Sequence, residues 1–535
     1  MGPFTSFAKD ATSAPLGSYY DYIIVGVGTA GCALAATLSV SAKVLLLERG
    51  GLPYDHPNVT HIIGFPATLA DTSPVSASQF FVSTDGVFNH RGSVLGSNSA
   101  INAGFFTRAS REYMREVGWE PRLVNESYEW VEKKVAFRPR VLAWQAAVRE
   151  GLREAGVLPY KGHRHTVADS LEYAEPTRIT IYLRAMAQQI FFRTLPGGQK
   201  PKAFGVFFKD FDGIKHLAYL NSEPTSEVIL CAGALGSPQL LMLSGIGPAN
   251  HLRANGIRVI LNQPVVGQGM SDNPMNVVMV PLTRPLEISL IEAIGITNVG
   301  SYIEAASGFI ISFVWASLYH EYTLVLDSKK LKSLQPLALY YLTLNSFNFL
   351  ILAGRKKNFT IQPWTMLTNL TLPETAVGSA LFQNPDIQAG IILEKVMGPF
   401  SKGYLELQSN DPNDNPKIIC VEGMEIIRKV VESQPLSTFR YPFTSFQSLM
   451  NLMLSVPINL RRKHLTASYS LEKFYMDTVM TIWHYHGGCQ VNKVVDHDYK
   501  VLGVDALQVV DGSTFYNSLG TNPQATVMML GRYVG

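Results

Sequence analysis

Two histidines near the carboxyl end of the chain have the clearest capacity for chemistry. His484 and His486 stand in the segment 481–489 (TIWHYHGGC), where two glycines permit a ligand to approach closely. A neutral imidazole with a pKa near about 6.5 can take a proton from a hydroxyl group. On a strand the two side chains would share a face, which also suggests a metal, but the sequence offers no third ligand. A structural role for His484 is equally consistent with this segment.

A glycine-rich turn near the amino end predicts a dinucleotide-binding site. An apolar strand at 21–25 leads into residues 26–31 (GVGTAG), and a helix of small residues follows at 32–39. A second apolar strand over 43–47 then ends at Glu48. This order of strand, turn, helix, strand and acid is the context that the glycine fingerprint requires.

Each part of this turn has a physical role. Gly26 allows the tight turn, Gly28 lets the backbone approach a pyrophosphate, and Gly31 lets the helix pack close to the strand. The helix start offers unpaired N–H groups to phosphates. Glu48 can accept hydrogen bonds from ribose hydroxyls, and its charge would repel a 2′-phosphate. FAD or NAD is therefore compatible with the motif, and NADP is not.

Three further segments contain turns suited to a planar or anionic ligand. Residues 91–108 (RGSVLGSNSAINAGFFTR) are rich in small residues. Residues 227–248 form a second strand–turn–helix unit, with Ser237 as the predicted N-cap and Pro238 as the first helical residue. Residues 511–526 (DGSTFYNSLGTNPQAT) lead into a predicted helix at the end of the chain.

Taken together, these motifs resemble one family. The chain resembles the glucose–methanol–choline (GMC) oxidoreductases, FAD enzymes that oxidise alcohols, over most of its length outside about 308–380. Within that family it is most similar to the plant branch of HOTHEAD-like and mandelonitrile-lyase-like proteins. This similarity rests on residues 81–87 (FVSTDGV), 271–276 (SDNPMN), 483–488 (WHYHGG) and 520–526 (GTNPQAT).

The resemblance implies a mechanism and roles for particular residues. His484 would be the base that removes the hydroxyl proton of an alcohol, and hydride would pass from the carbinol carbon to flavin N5. Asn522 would donate a hydrogen bond to the developing alkoxide. The implied FAD contacts are Gly26, Gly28, Thr29, Ala30, Gly31, Glu48, Arg49, Gly96, Asn102, Ala103, Gly104, Ala187, Trp483, Asp511, Pro523 and Gln524.

The chain departs from the family pattern at the flavin loop. The family usually has glycine where Ser97 stands, and a serine is not expected to adopt the same positive-φ backbone geometry. Asn98, the next residue, tolerates left-handed conformations better than most residues. The chain also lacks pieces of the pattern at 156–168 and near 416–421. These differences motivate an alternative in which the protein binds FAD without turnover.

The resemblance also implies an α/β fold, α+β overall, built from two interleaved domains. One is a Rossmann-like FAD-binding domain, and the other is a substrate-binding domain with an antiparallel sheet and helices. The expected FAD-binding domain comprises residues 20–110, 176–272 and 476–535, and the substrate-binding domain comprises residues 111–175 and 273–475, with 308–380 divergent.

Composition excludes several classes of protein. Apolar residues make up 47% of the chain and charged residues 16%, the reverse of a disordered composition. Lys and Arg (45) balance Asp and Glu (42), so no strong positive field exists to bind nucleic acid. The cysteines are too few and too scattered for a disulfide framework or a zinc site. They are Cys32, Cys231, Cys420 and Cys489.

The sequence gives mixed indications of location. Residues 337–354 carry no charge and could just span a bilayer, but polar residues at their centre favour a buried segment. The amino terminus lacks the apolar run of a signal peptide. The family and four Asn-x-Ser/Thr sites nevertheless lead us to expect a secreted protein. These sites are at Asn58, Asn125, Asn358 and Asn369.

Three functional hypotheses follow. The first is an FAD-dependent alcohol oxidase or dehydrogenase acting on a small-molecule, apolar alcohol, for instance a long-chain ω-hydroxy fatty acid. The second is a hydroxynitrile lyase, against which Asn522 argues because the lyases of this branch carry histidine there. The third is an FAD-binding protein without activity. No metal is expected, and the oligomeric state is open.

Overall fold

The computed structural model describes most of the chain apart from one long central segment and several short ones. The predicted membrane-length segment at 337–354, most of 308–380, Cys420, Asn358 and Asn369 lie outside the described residues. Within the described segments, no helix combines the length and apolar character that crossing a bilayer requires. The described residues are 6–83, 86–137, 140–157, 159–161, 167–193, 200–297, 300–311, 386–398, 403–405, 422–456, 458–520 and 522–535.

The chain forms short strands, most of them separated by helices or long loops. The strands are β1 Ala8–Asp10, β2 Gly17–Tyr20, β3 Tyr22–Val25, β4 Val44–Leu47, β5 Ser78–Val82, β6 Phe88–Gly92, β7 Pro159–Lys161, β8 Ile179–Leu183, β9 Met186–Arg193, β10 Lys202–Lys209, β11 Lys215–Leu220, β12 Glu227–Leu230, β13 Ile246–Gly247, β14 Leu261–Asn262, β15 Gln268–Met270, β16 Pro274–Pro281, β17 Ala293–Ile296, β18 Ser301–Ile310, β19 Gln388–Val396, β20 Gly403–Tyr404, β21 Met480–Thr481 and β22 Leu507–Val509. The α-helices are α1 Gly31–Leu38, α2 Pro57–Thr60, α3 Phe65–Ala70, α4 Arg111–Val117, α5 Pro121–Val135, α6 Ala143–Glu154, α7 Gly233–Leu243, α8 Ala249–Ala254, α9 Glu422–Glu432, α10 Gln434–Ser437, α11 Phe446–Ser455, α12 Leu471–Thr478 and α13 Gln524–Val534.

A six-stranded parallel sheet joins the two ends and the centre of the chain. Its strand order is β1-β8-β4-β3-β12-β22. The central strands β4, β3 and β12 are apolar because a parallel sheet is covered on both faces. The predicted strands at 21–25 and 43–47 and the predicted helix at 32–39 are confirmed as β3, β4 and α1. The carboxyl ends of β3, β4 and β12 therefore meet at one edge, where ligands bind in open α/β sheets.

The predicted start of α7 is wrong. The helix begins at Gly233, so Ser237 is not its N-cap and Pro238 lies inside it. A tertiary contact explains the difference, because Asp511 Oδ2 accepts hydrogen bonds from Gly233 N (2.9 Å) and Ser237 Oγ (2.5 Å). A carboxylate distant in the sequence thus satisfies the first amide of the helix, which local sequence signals cannot reveal.

A second six-stranded sheet is antiparallel and lies beside the first. Its strand order is β21-β16-β19-β18-β17-β7. Helices α6, α9 and α11 contact this sheet, and Trp144, Ile392 and Leu449 belong to the shared apolar core. The mixed α/β class, with a parallel and an antiparallel sheet, is confirmed. The domain boundaries stay a prediction. The parallel sheet also includes β1, which precedes the predicted start of the FAD-binding domain at residue 20.

We expect Gly390→Ala to destabilise the protein. Gly390 lies in β19, and a methyl group there would overlap the indole ring of Trp144, whose side chain is fully buried. Overpacking of this kind costs about 1–3 kcal/mol. The matched control is Gly17→Ala, whose methyl would lie 3.6 Å from Tyr219 Cε2 and should change stability by less than about 0.5 kcal/mol. Thermal unfolding midpoints of both variants test this, and equal midpoints would contradict it.

Candidate active site

A cavity of about 1220 Å³ lies where the two sheets meet. Leu47 and Cys231 contribute to its wall from the edge of the parallel sheet, and Val277 and Leu393 contribute from the face of the antiparallel sheet. The predicted site residues on this wall are Gly26, Gly28, Thr29, Ala30, Glu48, Arg49, Asn102, Ala103, Gly104, Ala187, Trp483, His484, Asp511, Asn522, Pro523 and Gln524. Gly31 and Gly96 are not among the residues that line the cavity.

The glycine turn between β3 and α1 has almost no room for side chains. Gly26 has a φ of +101°, and a Cβ there would lie 2.5 Å from Cys231 O. A Cβ on Gly31 would overlap the carbonyl oxygen of Gly26. Gly28 borders the cavity, with Ser97 behind it. The turn thus brings the start of α1 directly to the cavity, where its free amides can face an anion.

Glu48 is a buried acid at the end of β4. Its Oε2 accepts a hydrogen bond from Val27 N (3.1 Å), and its Oε1 accepts one from Gly50 N (2.8 Å). Burial raises the pKa of Glu48, while the bond from Gly50, the charge of Arg49 and the bond from Val27 oppose that rise. A carboxylate has about four acceptor sites, so capacity remains for a ligand hydroxyl.

The loop that follows β6 corrects one expectation from the sequence. Ser97 adopts a φ of +48° after Gly96 at +88°, so the serine does take a positive-φ geometry. Backbone hydrogen bonds from Ser97 N to Val94 O (2.7 Å) and from Ala100 N to Ser97 O (2.9 Å) hold this turn. Asn98 Oδ1 also accepts a hydrogen bond from Gly92 N (2.5 Å). These contacts offset the cost of about 1–3 kcal/mol for a left-handed serine.

The same loop is joined to the carboxyl-terminal helix. Asn102 Nδ2 donates a hydrogen bond to Gln524 Oε1 at the first turn of α13, and Asn102 Oδ1 accepts one from Gly104 N (2.7 Å). Asp511, at the same end of the cavity, caps α7 through Gly233 N. Residues far apart in the sequence are therefore fixed around one space.

His484 lies on the cavity wall just after β21. Its backbone N donates to Asp272 Oδ1 (2.8 Å), and its Nδ1 lies 3.3 Å from both Asn273 Nδ2 and Tyr302 Oη. Its Nε2 has no hydrogen-bond partner in the part of the chain that the structure describes. Burial, and then the charges of Lys395 and His486, lower the pKa of His484 well below its usual value. The imidazole is therefore neutral at physiological pH.

The surroundings of Nδ1 determine which ring nitrogen can act as a base. When Nδ1 carries the proton it donates to Tyr302 Oη, and Nε2 then keeps its lone pair. When Nδ1 instead accepts from Asn273 Nδ2, the proton is on Nε2. His486, in contrast, does not border this cavity. Its Nδ1 lies 3.0 Å from His484 O, and its backbone pairs with Ser271. The two histidines therefore do not form a shared ligand set.

Two polar atoms at the cavity have no hydrogen-bond partner among the described residues. They are the buried Nε1 of Trp483 and the buried Oδ1 of Asn522. Burial raises the pKa of Glu304, whereas Lys395 and, to a smaller extent, the Asn522 side chain act in the opposite direction. The carbonyl oxygen of Asn522 is left for a ligand.

A buried ion pair beside His484 was not predicted from the sequence. Lys395 Nζ contacts Glu304 Oε2, and both side chains are fully buried. The register places Lys395 opposite Met275 on one side and Tyr302 on the other. One signal was present, because Glu394 and Lys395 interrupt an otherwise apolar strand at 388–396.

The next rows of this sheet are increasingly apolar. Val277, Leu393 and Glu304 form the second row, and Met279, Ile391 and Ala306 form the third. Side chains two apart on a strand share a face. The members of these rows that line the cavity are Met275, Lys395, Val277, Leu393, Met279, Ile391 and Ala306. The apolar lining residues beyond the ion pair include Phe65, Leu69, Phe80, Leu290, Ile291, Ala306, Phe309, Ile391, Met279, Met453 and Ile458.

The cavity has the features that a dinucleotide requires. Its volume exceeds the range of about 300–1000 Å³ typical of sites for drug-sized ligands. Gly233 faces open space at the wall, since a Cβ there would meet no atom within 4 Å. The free Trp483 and Asn522 atoms also call for a polar ligand. A metal is not suggested, because the described residues contain no cluster of three His, Cys, Asp or Glu that could hold one.

The described cysteines are unpaired. Cys32, Cys231 and Cys489 are all buried and free. Burial raises the pKa of each thiol, so the three behave as small apolar groups rather than as nucleophiles.

Comparison with known proteins agrees with this geometry. The chain is 42% identical to Protein HOTHEAD of Arabidopsis thaliana, over 97% of this chain and 88% of that protein. It is 39% identical to the (R)-mandelonitrile lyase-like protein of Arabidopsis thaliana (99% and 92%). It is 34% identical to the sinalpyl alcohol oxidase Nec3 of Nesocodon mauritianus (96% and 88%).

The fold is also that of a solved enzyme structure. Pyridoxine 4-oxidase from Mesorbium loti superposes with a TM-score of 0.67 at 17% identity, covering 96% of this chain and 98% of that one. Two sequence profiles described as GMC oxidoreductase match residues 161–275 and 399–531. The chain therefore belongs to the GMC oxidoreductase family, whose cofactor is FAD.

Proposed function

We propose that this protein oxidises the CH–OH group of an apolar alcohol, with His484 as the base. The observation that carries the proposal is the setting of the imidazole on the cavity wall. Tyr302 Oη lies 3.3 Å from Nδ1 and can accept its proton in the tautomer that the reaction needs, while Nε2 is free of any partner in the described residues. The free nitrogen can accept the hydroxyl proton of a substrate. FAD, when bound, supplies the two-electron acceptor for this oxidation.

The charges around the base support the same reaction. Burial and then the charge of Lys395 keep the pKa of His484 low, so the ring is neutral and can accept a proton. Glu304 balances the charge of Lys395, so the wall carries no net charge beside the reacting group. Asn522 Oδ1 is positioned to accept a hydrogen bond from the substrate or the cofactor. These groups orient and polarise, and they exchange no proton themselves.

The FAD-binding residues form the other half of the proposal. The start of α1, with Gly28, Thr29 and Ala30, would hold the pyrophosphate. Glu48 would accept hydrogen bonds from the ribose, beside Arg49. The strand at Ala187 would pass the adenine, and the flavin would lie near the remaining predicted contacts. These are Gly96, Asn102, Ala103, Gly104, Trp483, Asp511, Pro523 and Gln524.

A hydroxynitrile lyase is less well supported by this site. That reaction moves protons without net oxidation and needs two proton-accepting groups. Asn522 lines the cavity where a second base would be required, and an amide has no basic lone pair. Similarity to relatives named as lyases is therefore not sufficient to assign lyase activity to this chain.

We also infer that the protein is secreted. The family resemblance and the Asn-x-Ser/Thr sites support this location. Of these sites, Asn58 and Asn125 lie in the described residues, and both are exposed. Asn58 stands in the one-turn helix α2, whereas Asn125 is bonded to Glu129 and Arg108 on α5.

We expect Glu48→Ala to reduce FAD retention. The variant loses the acceptor for the ribose and leaves the amides of Val27 and Gly50 without partners. The ratio of flavin to protein absorbance in the purified protein measures the effect. The matched control, Glu223→Ala, changes an exposed acid away from the cavity and should keep the normal ratio. Purified wild-type protein without flavin bands would contradict both the site and the function.

We expect His484→Ala to slow flavin reduction by about 10²–10⁴-fold, the usual contribution of a general base. Anaerobic mixing with alcohol and stopped-flow absorbance of the bound flavin measure the rate. The control is His497→Ala, which replaces an exposed histidine outside the cavity wall. A His484→Ala protein that reduces its flavin at the wild-type rate would overturn the assignment of the base.

We expect an uncharged long-chain primary alcohol to be a better substrate than the ω-hydroxy acid of equal length. The rows beyond the ion pair are apolar and Lys395 is already paired with Glu304, so the carboxylate at the far end of a bound ω-hydroxy acid would be unpaired. The expected preference in kcat/KM is about tenfold or more, which corresponds to about 1.4 kcal/mol. The reverse preference would favour the ω-hydroxy fatty acid. Mandelonitrile serves as the control, and we expect no release of benzaldehyde from it.

A further inference from the structure

Asp272 is a carboxyl group close to the base that the proposed reaction does not use. It lies just before β16, in the Ser-Asp-Asn-Pro motif. Its Oδ1 accepts hydrogen bonds from His484 N and Asn273 N, both at 2.8 Å, and its Oδ2 accepts one from Thr481 Oγ1. Thr481 Oγ1 in turn accepts a hydrogen bond from Trp483 N (2.8 Å).

These bonds make Asp272 the anchor of the loop that carries the base. Trp483 adopts a φ of +60°, a left-handed geometry that costs energy for a residue with a Cβ. The loop at 481–484 therefore needs external contacts to hold this shape. Asp272 supplies them at both ends, directly to His484 and through Thr481 to Trp483.

No positive charge compensates this carboxyl group. Among the described residues, no Lys or Arg forms an ion pair with Asp272. The titratable groups that face it are Tyr302 from β18, Tyr485 from the following loop and the neutral His484. Burial raises the pKa of Asp272 to about 7, while the three hydrogen bonds act in the opposite direction. An uncompensated acid is a stability cost, which points to a functional reason for its presence.

We propose that Asp272 is a positioning residue, whose ionised carboxylate holds His484 in the geometry for proton transfer and whose protonation sets the acid limit of activity. The inference rests on the proposed function of His484. When the carboxyl is ionised it can accept all three donors. When it is protonated, one oxygen becomes a donor and the loop loses an acceptor.

The pH dependence of activity and of stability then run in opposite directions. Activity should fall as pH decreases through about 7, where Asp272 becomes protonated. His484 cannot give this limb, because its pKa lies well below its usual value. Stability behaves differently, because the folded pKa of Asp272 lies above its usual 3.8. The stability associated with the protonated form is present at low pH and is lost as pH rises through about 7.

The test uses the full-length FAD-bound protein and its Asp272→Asn variant. The amide keeps one acceptor for His484 N but cannot ionise. We expect flavin reduction at pH 8 to fall about tenfold, as for a modest misplacement of the base, and the acid limb near pH 7 to disappear. We expect the thermal midpoint of the variant to decline less than that of the wild type between pH 6 and 8. Asp498→Asn, at an exposed position, is the control and should match the wild type in both.

A second variant covers the case in which Asp272→Asn does not fold. Thr481→Val removes one donor to the carboxylate, so the acid limb should move to higher pH. An acid limb that stays near 7 in Asp272→Asn, or that does not move in Thr481→Val, overturns the proposal. Equal changes of thermal midpoint with pH in Asp272→Asn and wild type overturn it too. The thermal midpoint does not depend on turnover, so it tests the role of Asp272 even if the proposed function is wrong. Failure of the proposed function would be shown separately, by a wild-type flavin that no alcohol reduces.

Discussion

The whole arrangement depends on a steric constraint at one turn, where β3, β12 and α1 come so close that no side-chain carbon fits. A Cβ on Gly26 would lie 2.5 Å from Cys231 O, and a Cβ on Gly31 would overlap Gly26 O. Because α1 starts directly above the strand ends, its amides face the cavity and Glu48 stands beside them at the end of β4. The same edge receives Asp511, which ties α7 to the carboxyl-terminal segment. Displacing α1 would separate all of these groups at once.

The antiparallel sheet provides the opposite wall, and its register sorts that wall by polarity. The row nearest His484 holds Lys395 and Tyr302, the next holds Glu304 and Leu393, and the last is apolar. A two-residue repeat along each strand is sufficient for this gradient. In the proposed reaction, the reacting end of the substrate would lie at the polar row and its body along the apolar rows. Burial, which lowers the pKa of His484 and raises that of Asp272, follows from the same enclosure.

The sequence could predict what is local and could not predict what depends on register or on distant contacts. The turn at 26–31 was predictable because strand, turn and helix are adjacent in the chain. The start of α7 was not, because Asp511 fixes it from the far end of the chain. Lys395 and Glu304 meet only once β18 and β19 are paired, and 308–380 gave no family pattern to align. At Ser97 the sequence-based expectation was wrong, because surrounding hydrogen bonds hold the serine at a positive φ that its side chain disfavours.

The buried pair of Lys395 and Glu304 also has a consequence for how substrate range can change. Two opposite charges on neighbouring strands cancel, so this part of the wall carries no net charge. Neutralising Glu304 alone would leave a fixed cation on the cavity wall, and neutralising Lys395 alone would leave a fixed anion. Either single change would give this wall a preference for molecules of the opposite charge without altering the glycine turn. The pair is therefore a position at which the charge of the wall, and with it the charge of the molecules that fit, can change while the cofactor half of the fold stays the same.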